Sequence, residues 1–440
     1  MIMKSNNMGK YSARLIIVLL AIMIAMALVP SLAASSSPVV MFRNDPAHTG
    51  VYDGGGIQPG NLTFWNYTTG DSIVSSPAVV NGIVYIGSRD DNVYALDANT
   101  GALKWNYTTG GSVGSSPAVA DGIVYVGSDD GNVYALDANI GTLKWNYTTG
   151  DKVYSSPAVA NGFVYIGSED NNVYALDATT GALKWNYTTG DKVYSSPAVV
   201  NGTVYIGSND GNVYALDAYS GALKWKYATG SNHITSNIGY TIADTGVESS
   251  PAVVNGIVYV GSYSNNIYAL DADTGALKWS YTTTYDVGSS PSVVNGVVYI
   301  GGWDGNVYAL DANTGALKWG YGNGNSISSS PAVANGTVYI GSPDGNVYAL
   351  DANTGALKGK YTTGSLVDSS PAVVNGVIYI GSDDNKIYAI GTQGWSPVSQ
   401  GWSPISNILK PMPTPFVGVE GICAIVLGAW IYLLIGRKRN

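Results

Sequence analysis

Few residues in this 440-residue sequence have the chemistry of a catalytic or metal site. The one cysteine, Cys423, has no second cysteine to pair with, and the two histidines, His48 and His233, lie far apart in the sequence. The acidic residues recur at equivalent places in a repeated unit. A catalytic site needs a few unlike groups that converge on one place, whereas a repeat supplies a ring of like groups. The residues therefore predict a non-enzymatic protein, with no catalytic residue, cofactor or metal.

Three acidic loops contain the oxygen atoms that calcium prefers. They are Asp129-Asp130-Gly131-Asn132, Glu169-Asp170-Asn171-Asn172 and Asp383-Asp384-Asn385. None of the three has the spacing of a known calcium-binding loop. Asp, Asn and Gly are also the residues that tight turns require. We therefore expect turns at these places, and calcium binding is the less favoured alternative.

The repeated unit is marked by Ser-Ser-Pro, whose eight prolines lie at positions 77, 117, 157, 197, 251, 291, 331 and 371. Each copy contains four short apolar segments separated by turn residues. The first turn is Asn-Gly or Asp-Gly, as at Asn81-Gly82, which favours a two-residue hairpin. This pattern is typical of propeller blades. The sequence therefore predicts an all-β fold, an eight-bladed β-propeller of four-stranded antiparallel blades over residues 61–391, after a lead-in segment over residues 35–60.

The residue types also predict where each strand lies in a blade. Ser-Ser-Pro should belong to the innermost strand, because proline lacks an N–H and is tolerated at a sheet edge. Seven of the eight fourth strands carry a tryptophan, such as Trp105, and Gly359 takes its place in the eighth. We expect these indoles to pack between blades. The last copy lacks a fourth strand, so the N-terminal strand from Leu62 to Tyr67 should complete it and close the ring.

Two stretches resemble a known family. Residues 95–105, Ala-Leu-Asp-Ala-Asn-Thr-Gly-Ala-Leu-Lys-Trp, resemble the tryptophan-docking motif of PQQ-like repeat propellers, and residues 41–50, Met-Phe-Arg-Asn-Asp-Pro-Ala-His-Thr-Gly, resemble the lead-in segment found before many of them. The family includes the bacterial outer-membrane assembly lipoprotein and the quinoprotein dehydrogenases. The resemblance covers roughly residues 41–391 and implies the fold, because the motif is structural.

The dehydrogenases of this family hold PQQ against a disulfide of adjacent cysteines and a tryptophan floor, with a calcium ion and a catalytic aspartate nearby. This sequence has no cysteine pair and no singular cluster of Glu, Asn and Asp. The resemblance therefore implies the scaffold without the cofactor. A PQQ-dependent dehydrogenase, or a solute-binding protein that uses the channel mouth, is the alternative function.

The N-terminal end carries an export signal. Lys4, Lys10 and Arg14 precede an apolar run and the small residues of 31–34. This order of charge, apolar core and cleavage site is typical of a secretory signal peptide, here a helix over residues 1–34. The sequence therefore predicts that the propeller is extracellular.

The C-terminal end carries a membrane signal. A Pro/Ser linker over residues 392–415 leads to a predicted transmembrane helix with a basic end over residues 416–440. The helix is long enough to span a bilayer core of about 30 Å, and clustered positive charge stays on the cytoplasmic side. The tail also resembles the sorting signals that archaeal surface proteins present for cleavage and lipid attachment, although Pro413-Thr414-Pro415-Phe416 departs from the usual Pro-Gly-Phe and Pro-Glu-Phe. With the helix or with a lipid in its place, we expect a membrane anchor at the cell surface.

One place breaks the repetition. Residues 231–248 contain a 14-residue insertion between the fourth and fifth copies, which includes His233 and Tyr240. On the same face of the predicted propeller, Tyr263 and Trp303 replace the acidic residue that is usual in neighbouring copies. A long loop beside exposed aromatic side chains is typical of binding surfaces. We therefore expect these four residues to form a binding patch, and a loop that has drifted in sequence is the alternative.

The sequence contains seven N-glycosylation sequons, Asn-x-Ser/Thr. They begin at Asn61, Asn66, Asn106, Asn146, Asn186, Asn201 and Asn335. Four of them share one position on the fourth strand, so repetition alone accounts for their number. Export would make glycosylation available.

The formal net charge is −9, and six of the 21 basic residues lie near the two ends, so the repeats themselves are more acidic. An acidic surface repels phosphate, so nucleic acid is not an expected partner. Eight similar blades offer repeated weak contacts. We therefore expect a scaffold for adhesion, envelope assembly or protein contact, with envelope or surface proteins as partners and glycans as a further class.

Overall fold

The computed structural model describes residues 40–52, 62–230, 232–235, 241–244 and 246–391, where every regular element is a β-strand. These described residues contain no helix that is long and apolar enough to cross a membrane. The predicted signal helix (1–34), linker (392–415) and transmembrane helix (416–440) lie outside the described residues and stay predictions.

The strands are numbered in chain order and grouped here by blade. Blade 1 contains β2 (Ala78–Val80), β3 (Ile83–Gly87), β4 (Asn92–Asp97) and β5 (Leu103–Thr108); blade 2 contains β6 (Ala118–Ala120), β7 (Ile123–Gly127), β8 (Asn132–Asp137) and β9 (Leu143–Thr148); blade 3 contains β10 (Ala158–Ala160), β11 (Phe163–Gly167), β12 (Asn172–Asp177) and β13 (Leu183–Thr188); blade 4 contains β14 (Ala198–Val200), β15 (Thr203–Gly207), β16 (Asn212–Asp217) and β17 (Leu223–Ala228). A hairpin of β18 (Asn232–Thr235) and β19 (Thr241–Asp244) follows blade 4.

The second half of the ring repeats the same order. Blade 5 contains β20 (Ala252–Val254), β21 (Ile257–Ser262), β22 (Asn266–Asp271) and β23 (Leu277–Thr282); blade 6 contains β24 (Ser292–Val294), β25 (Val297–Gly301), β26 (Asn306–Asp311) and β27 (Leu317–Gly322); blade 7 contains β28 (Ala332–Ala334), β29 (Thr337–Gly341), β30 (Asn346–Asp351) and β31 (Leu357–Thr362); blade 8 contains β32 (Ala372–Val374), β33 (Val377–Ser382), β34 (Lys386–Gly391) and β1 (Leu62–Thr68).

Within each blade, the four strands pair antiparallel with their neighbours, from an innermost strand to an outermost strand at the rim. The turn between the first and second strands has positive φ at both residues, 49° at Asn81 and 77° at Gly82 in blade 1. This is the hairpin geometry that the Asn-Gly pairs predict. The prediction of eight four-stranded antiparallel blades is confirmed.

The ring closes by sharing blade 8 between the two ends of the repeat region. β1 pairs antiparallel with β34, with Leu62 opposite Gly391 and Trp65 opposite Ala389. The N-terminal strand therefore supplies the missing outermost strand, as predicted.

The tryptophans of the outermost strands dock onto the next blade. Trp105 is 8% exposed, and its indole N–H donates to the carbonyl oxygen of Ala138 over 3.0 Å. Tyr85 of the same blade donates to the same oxygen over 3.0 Å. Gly141 lies beneath the indole at φ +72°, and a Cβ there would lie 2.6 Å from the Trp105 ring. Alanine, tryptophan and glycine thus form one inter-blade joint, which explains why they recur together.

Gly359 interrupts this series for a structural reason. Its docking partner would belong to blade 8, where β34 ends at Gly391 and the equivalent turn lies outside the described residues. Nearby, Tyr361 is only 8% exposed, and its hydroxyl lies 2.5 Å from the hydroxyl of Thr63 in β1. A tyrosine–threonine contact therefore joins blades 7 and 8 where the other described joints use tryptophan.

The Ser-Ser-Pro motifs form a closed ring of hydrogen bonds. The N–H of each second serine donates to the hydroxyl oxygen of the second serine in the next blade over 2.9–3.0 Å. The donors, in order, are Ser76, Ser116, Ser156, Ser196, Ser250, Ser290, Ser330 and Ser370, and the last donates to Ser76. These residues bond around the ring, and the innermost strand begins after the proline. The prediction that this strand lies innermost is confirmed.

The described lead-in, residues 40–52, runs along the inner edges of five blades, and we call it the channel belt. Val40 pairs with Val119 of blade 2. Farther along the belt, carbonyl oxygens accept hydrogen bonds from the middle residue of the innermost strand in blades 4, 5, 6 and 7. Arg43 is 4% exposed and donates to the carbonyl oxygens of Ser290 and Pro331 over 2.9 and 3.2 Å. The belt therefore pairs with inner edges that the innermost strands would otherwise leave open.

Candidate functional site

The turns of every blade fall on two opposite faces. We call the face with the turns between strands 1 and 2 and between strands 3 and 4 of each blade the regular face. The face with the turns between strands 2 and 3 and the blade-to-blade loops is the variable face. On the regular face, a lysine of the outermost strand contacts an aspartate at the end of the third strand over 2.9–3.6 Å in seven blades. The pairs are Lys104–Asp97, Lys144–Asp137, Lys184–Asp177, Lys224–Asp217, Lys278–Asp271, Lys318–Asp311 and Lys358–Asp351.

On the variable face, the residue that begins the turn after the second strand differs in almost every blade. From blade 1 to blade 8 it is Arg89, Asp129, Glu169, Asn209, Tyr263, Trp303, Pro343 and Asp383. One ring of equivalent positions therefore presents cations, acids, an amide, aromatic rings and a proline. Unlike groups on a common frame are what specific recognition requires.

The insertion lies on the variable face, as expected. It contains the antiparallel hairpin of β18 and β19, with Asn232 opposite Asp244. His233 belongs to β18, and Tyr240 lies outside the described residues. Just after the hairpin, the carbonyl oxygen of Gly246 accepts a hydrogen bond from the N–H of Tyr263 over 2.9 Å. The structure thus brings the insertion next to Tyr263.

Tyr263 and Trp303 do not form the exposed pair that the sequence predicts. Tyr263 is only 7% exposed and Trp303 is half-buried. Their ring centroids lie 5.0 Å apart at an interplanar angle of 45°. The expectation of two exposed aromatic side chains is wrong, because the rings of neighbouring blades cover each other and so remove apolar area from water. They form a floor beside the hairpin.

This floor contains an unpaired donor. The indole Nε1 of Trp303 is buried and has no hydrogen-bond acceptor among the described residues. A Cβ on Gly288 would lie 3.2 Å from this nitrogen, so the glycine gives the indole room. A buried donor without an acceptor costs about 1–3 kcal/mol. Nε1 is therefore a group that a bound partner could satisfy.

The exposed aromatic side chain of this region is Tyr285, which the sequence analysis missed. It lies on the loop before blade 6 and is 64% exposed. Equivalent loops carry Asp71, Gly111 or Asp151 at this position. A column-by-column comparison of the eight copies would have found it.

The variable face of blades 2 to 4 carries a cluster of charged and tyrosine side chains. Lys152 contacts Asp129 over 3.2 Å, and Lys192 contacts Glu169 over 2.6 Å. Tyr194 packs edge-on against Tyr154, with ring centroids 6.1 Å apart. The sequence analysis also missed this cluster, which the Lys-Val-Tyr segments of blades 3 and 4 could have indicated.

Arg89 faces two acids across the joint between blades 1 and 8. Burial, together with the charge of Asp383, raises the pKa of Asp368, and Arg89 opposes that rise. Burial also raises the pKa of Asp383, again against Arg89. Both carboxylates are therefore less stable in their charged form than ordinary aspartates, although a cation lies near.

The acidic loops serve as turns, as expected. Asp130 accepts hydrogen bonds from the N–H groups of Gly110 and Asn132 and from the hydroxyl of Tyr134 over 2.6–2.9 Å. Burial would raise the pKa of Asp130, but these hydrogen bonds hold it below its ordinary value. The carboxylate oxygens thus fix the turn and the neighbouring loop.

The remaining predicted residues lie apart from this face. His48 is fully buried in the channel belt, where burial and the charge of Arg43 lower its pKa to about 3 and keep it neutral. Six sequon asparagines are exposed, Asn66, Asn106, Asn146, Asn186, Asn201 and Asn335. Asn61 lies outside the described residues.

The side chains do not fit the cofactor site of a quinoprotein dehydrogenase. Within residues 40–52, 62–230 and 246–391, no three His, Cys, Asp or Glu side chains are grouped so that they could hold a metal ion. Cys423 lies outside the described residues and is the only cysteine of the sequence, so no disulfide of adjacent cysteines can support a quinone.

Two family models match the chain. A model described as the β-propeller of the beta-alanine-activating enzyme matches residues 56–241. A model described as outer membrane protein assembly factor BamB matches residues 241–404. No curated protein matches the chain.

Solved structures share the fold at low sequence identity. BamB from Moraxella catarrhalis is 21% identical with a TM-score of 0.65, and the match covers 75% of this chain and 99% of that one. A quinohemoprotein alcohol dehydrogenase from Pseudomonas putida HK5 is 17% identical with a TM-score of 0.66, and the match covers 89% and 85%. The computationally designed protein Ika8 is 20% identical with a TM-score of 0.65, and the match covers 76% and 100%. With its repeated tryptophan joints and its closed ring of four-stranded blades, the chain is an eight-bladed β-propeller, and its two halves are similar to the two propeller families named above.

Proposed function

We propose that this chain is a non-enzymatic scaffold that binds a partner protein through its variable face. The observation that carries the proposal is the difference between the two faces. The same strands build both, yet only the variable face presents a different side chain in almost every blade. The match to a family described as an outer membrane protein assembly factor supports a role in envelope assembly.

The binding region centres on blades 5 and 6. There the hairpin, the Tyr263–Trp303 floor and the exposed Tyr285 lie on one face. Aromatic side chains at the centre of a patch supply most of the energy in typical protein interfaces. His233 and Tyr240 belong to the same proposed patch through their place in the insertion. Envelope or surface proteins are the favoured partners, and glycans are a further class.

The location follows from the ends of the sequence. The predicted signal peptide and the predicted C-terminal helix, or a lipid that replaces it, would hold the propeller outside the cell. An anchored propeller meets its partners within the envelope, where even weak contacts are effective because the local concentration is high.

Photo-crosslinking tests the proposal. A photoreactive amino acid in place of Tyr285, in the full-length protein in its native cells, should crosslink a defined envelope protein. Deletion of residues 233–246, which restores the 40-residue spacing of the other blades, should abolish that crosslink. Tyr219→Asn and Ile140→Thr on the regular face, where both side chains are exposed, are the matched controls and should leave it intact. A crosslink that persists after the deletion would contradict the proposal.

The second candidate is a PQQ-dependent dehydrogenase or a solute-binding protein. The shared fold of the quinohemoprotein alcohol dehydrogenase favours it. Absorption spectra of the purified full-length protein with added PQQ and calcium distinguish the two functions. A quinone bound in a one-to-one ratio would overturn the scaffold, whereas spectra equal to the sum of the separate components would support it.

A further inference from the structure

One position on the rim divides the propeller into two halves. The residue that follows the tryptophan of the outermost strand is an asparagine within a sequon in four consecutive blades, Asn66 in blade 8 and Asn106, Asn146 and Asn186 in blades 1 to 3. In blades 4 to 7 the same position holds Lys226, Ser280, Gly320 and Lys360. All four asparagines are exposed. The four rim sequons therefore occupy one continuous arc.

The fold does not need these asparagines. The amide nitrogens of Asn106, Asn146 and Asn186 lie 3.3–3.5 Å from the side-chain oxygens of Asn92, Asn132 and Asn172. The sequon threonines already donate to the same oxygens over 2.6–2.7 Å.

The threonine keeps this structural contact in blades 5 and 7, where the asparagine is absent. Thr282 donates to Asn266 over 2.7 Å, and Thr362 donates to Asn346 over 2.6 Å. The leucine and lysine that precede the position are the same in blades 1 to 7. The asparagine varies independently of its neighbours, so its presence on one arc requires a reason other than packing.

We propose that Asn66, Asn106, Asn146 and Asn186 carry N-linked glycans that cover the rim of blades 8, 1, 2 and 3. In this modification, the side-chain amide nitrogen forms a bond to the anomeric carbon of a lipid-linked oligosaccharide. The bond from that carbon to the lipid phosphate breaks, the amide loses a proton, and the lipid phosphate leaves. Asparagine and threonine of these sequons both face solvent, so the folded rim has room for the glycan.

The two sequons in the turns of the regular face differ from those on the rim. Asn201 lies in the turn between strands 1 and 2 of blade 4 at φ 48°, and the hydroxyl-bearing Thr203 is only 6% exposed. The ammonium of Lys224 donates to the Thr203 hydroxyl over 2.8 Å. Thr337 of the Asn335 sequon is 5% exposed, and the ammonium of Lys358 donates to its hydroxyl over 3.1 Å. The fold itself therefore accounts for these two threonines.

A glycan on the rim would protect an open strand edge. Each outermost strand leaves one edge unpaired, and in blades 1 to 7 it begins with an exposed leucine, such as Leu103 at 45%. Lysine at an edge discourages pairing with other chains, and Lys226 and Lys360 protect the edges of blades 4 and 7 in this way. Ser280 and Gly320, in blades 5 and 6, add neither a sequon nor a second lysine, so these two strands keep only the lysine that blades 1 to 7 share. The least protected part of the rim thus belongs to the two blades that carry the proposed binding region.

Glycopeptide mass spectrometry of the full-length protein from its native cells tests the inference. We expect a glycan mass on each peptide that contains Asn66, Asn106, Asn146 or Asn186. Trypsin releases the same peptide, Trp-Asn-Tyr-Thr-Thr-Gly-Asp-Lys, from blades 2 and 3. The variants Asn146→Gln and Asn186→Gln are therefore needed to assign these two sites, and each should remove one glycan from the intact mass.

The inference would be overturned if all four asparagines were found unmodified. This holds whether or not the predicted signal peptide had been removed from the protein. Glycans confined to Asn201 and Asn335 would overturn the inference equally. The quadruple Asn→Gln variant is the control for folding and should keep the thermal unfolding midpoint of the unglycosylated protein. None of these outcomes depends on a partner protein, so this experiment tests glycosylation independently of the proposed scaffold function.

Discussion

The regular face and the variable face are built by the same strands but obey different constraints. On the regular face, each turn between strands 3 and 4 must supply a carbonyl oxygen to a tryptophan and a tyrosine of the preceding blade, as Ala138 does. It must also keep a glycine under the indole. On the variable face, the residue that begins the turn between strands 2 and 3 makes its repeated contact through the backbone N–H, and its side chain changes from blade to blade. The difference teaches that repetition marks the joints of the ring, whereas variation marks the surface that is free to specialise.

The charges differ between the faces in the same way. On the regular face, the Lys184 ammonium, together with the backbone N–H and hydroxyl of Thr180, lowers the pKa of Asp177 to about 2. On the variable face, burial and a second carboxylate raise the pKa of Asp368. Charged aspartates on the regular face therefore stabilise the strand pair of their own blade, whereas this acidic pair on the variable face destabilises the fold at neutral pH.

The largest expected effect compares two tryptophans. Trp185→Ala removes a docked indole that is 8% exposed and donates to Ala218 over 2.9 Å. Such a truncation should lower the free energy of unfolding by about 3–5 kcal/mol. Trp303→Ala removes a half-buried ring with an unpaired Nε1 and should cost less than half as much. Urea unfolding followed by circular dichroism measures both, and equal losses would show that the two faces do not differ in their constraints.

A second comparison separates two glycines that both have positive φ on the regular face. Gly162→Ala at φ +79° introduces a Cβ with no atom within 4 Å, so only backbone strain of about 1–2 kcal/mol is expected. Gly141→Ala at φ +72° adds contact with the Trp105 ring, and the loss should rise to about 2–4 kcal/mol. The same unfolding experiment measures both variants. Equal destabilisation would mean that the glycine serves only the turn and not the indole.

The smallest expected effect compares two aspartates whose pKa values are shifted in opposite directions. The folded-state pKa of Asp177 is below its ordinary value, so its stabilisation is present at neutral pH and is lost as the pH falls toward 2. Asp177→Asn should lower stability at pH 7 by at most about 1 kcal/mol, because the ion pair is solvent-exposed. The pKa of Asp368 is raised, so its charge destabilises the fold at neutral pH and Asp368→Asn should raise stability.

Thermal unfolding midpoints at pH 7 and in acid check this third comparison. At pH 7 the two variants should shift the midpoint in opposite directions. In acid, where protonation discharges the wild-type carboxylates, both shifts should shrink. Shifts of the same sign at pH 7 would contradict the proposed difference in charge between the faces.

The repeats were sufficient to predict the fold, because Asn-Gly turns, recurring tryptophans and a missing last strand each have one simple structural consequence. Contacts between blades were harder to predict. The serine ring joins residues 40 or 54 positions apart and closes from Ser370 to Ser76, and nothing in the local sequence shows those bonds. The lead-in segment was recognised through resemblance, but its course along the inner edges depends on strands far away in sequence.

The candidate site shows the same limit. The blade pattern predicts that the insertion and Tyr263 share a face, and the N–H of Tyr263 donates to Gly246 at the end of the insertion. The exposure of Tyr263 was predicted wrongly, because it depends on Trp303 of the next blade. Tyr285 and the lysine–acid pairs of blades 2 to 4 were missed because the sequence analysis compared one column of the repeat instead of all of them.

Because the eighth blade contains both the first and the last strand of the ring, it can form only after the whole repeat region has been synthesised. β1 is among the first strands to be synthesised, but its partner β34 begins only at Lys386. At about 5–20 residues per second, the interval between them is on the order of tens of seconds. Throughout that time the edge of β1 that pairs with β34 has no native partner, although Trp65 can already dock onto Ala98 of blade 1 and blades 1 to 7 can assemble. A holding chaperone that shields the N-terminal strand until the last repeat emerges would therefore increase the yield of closed rings.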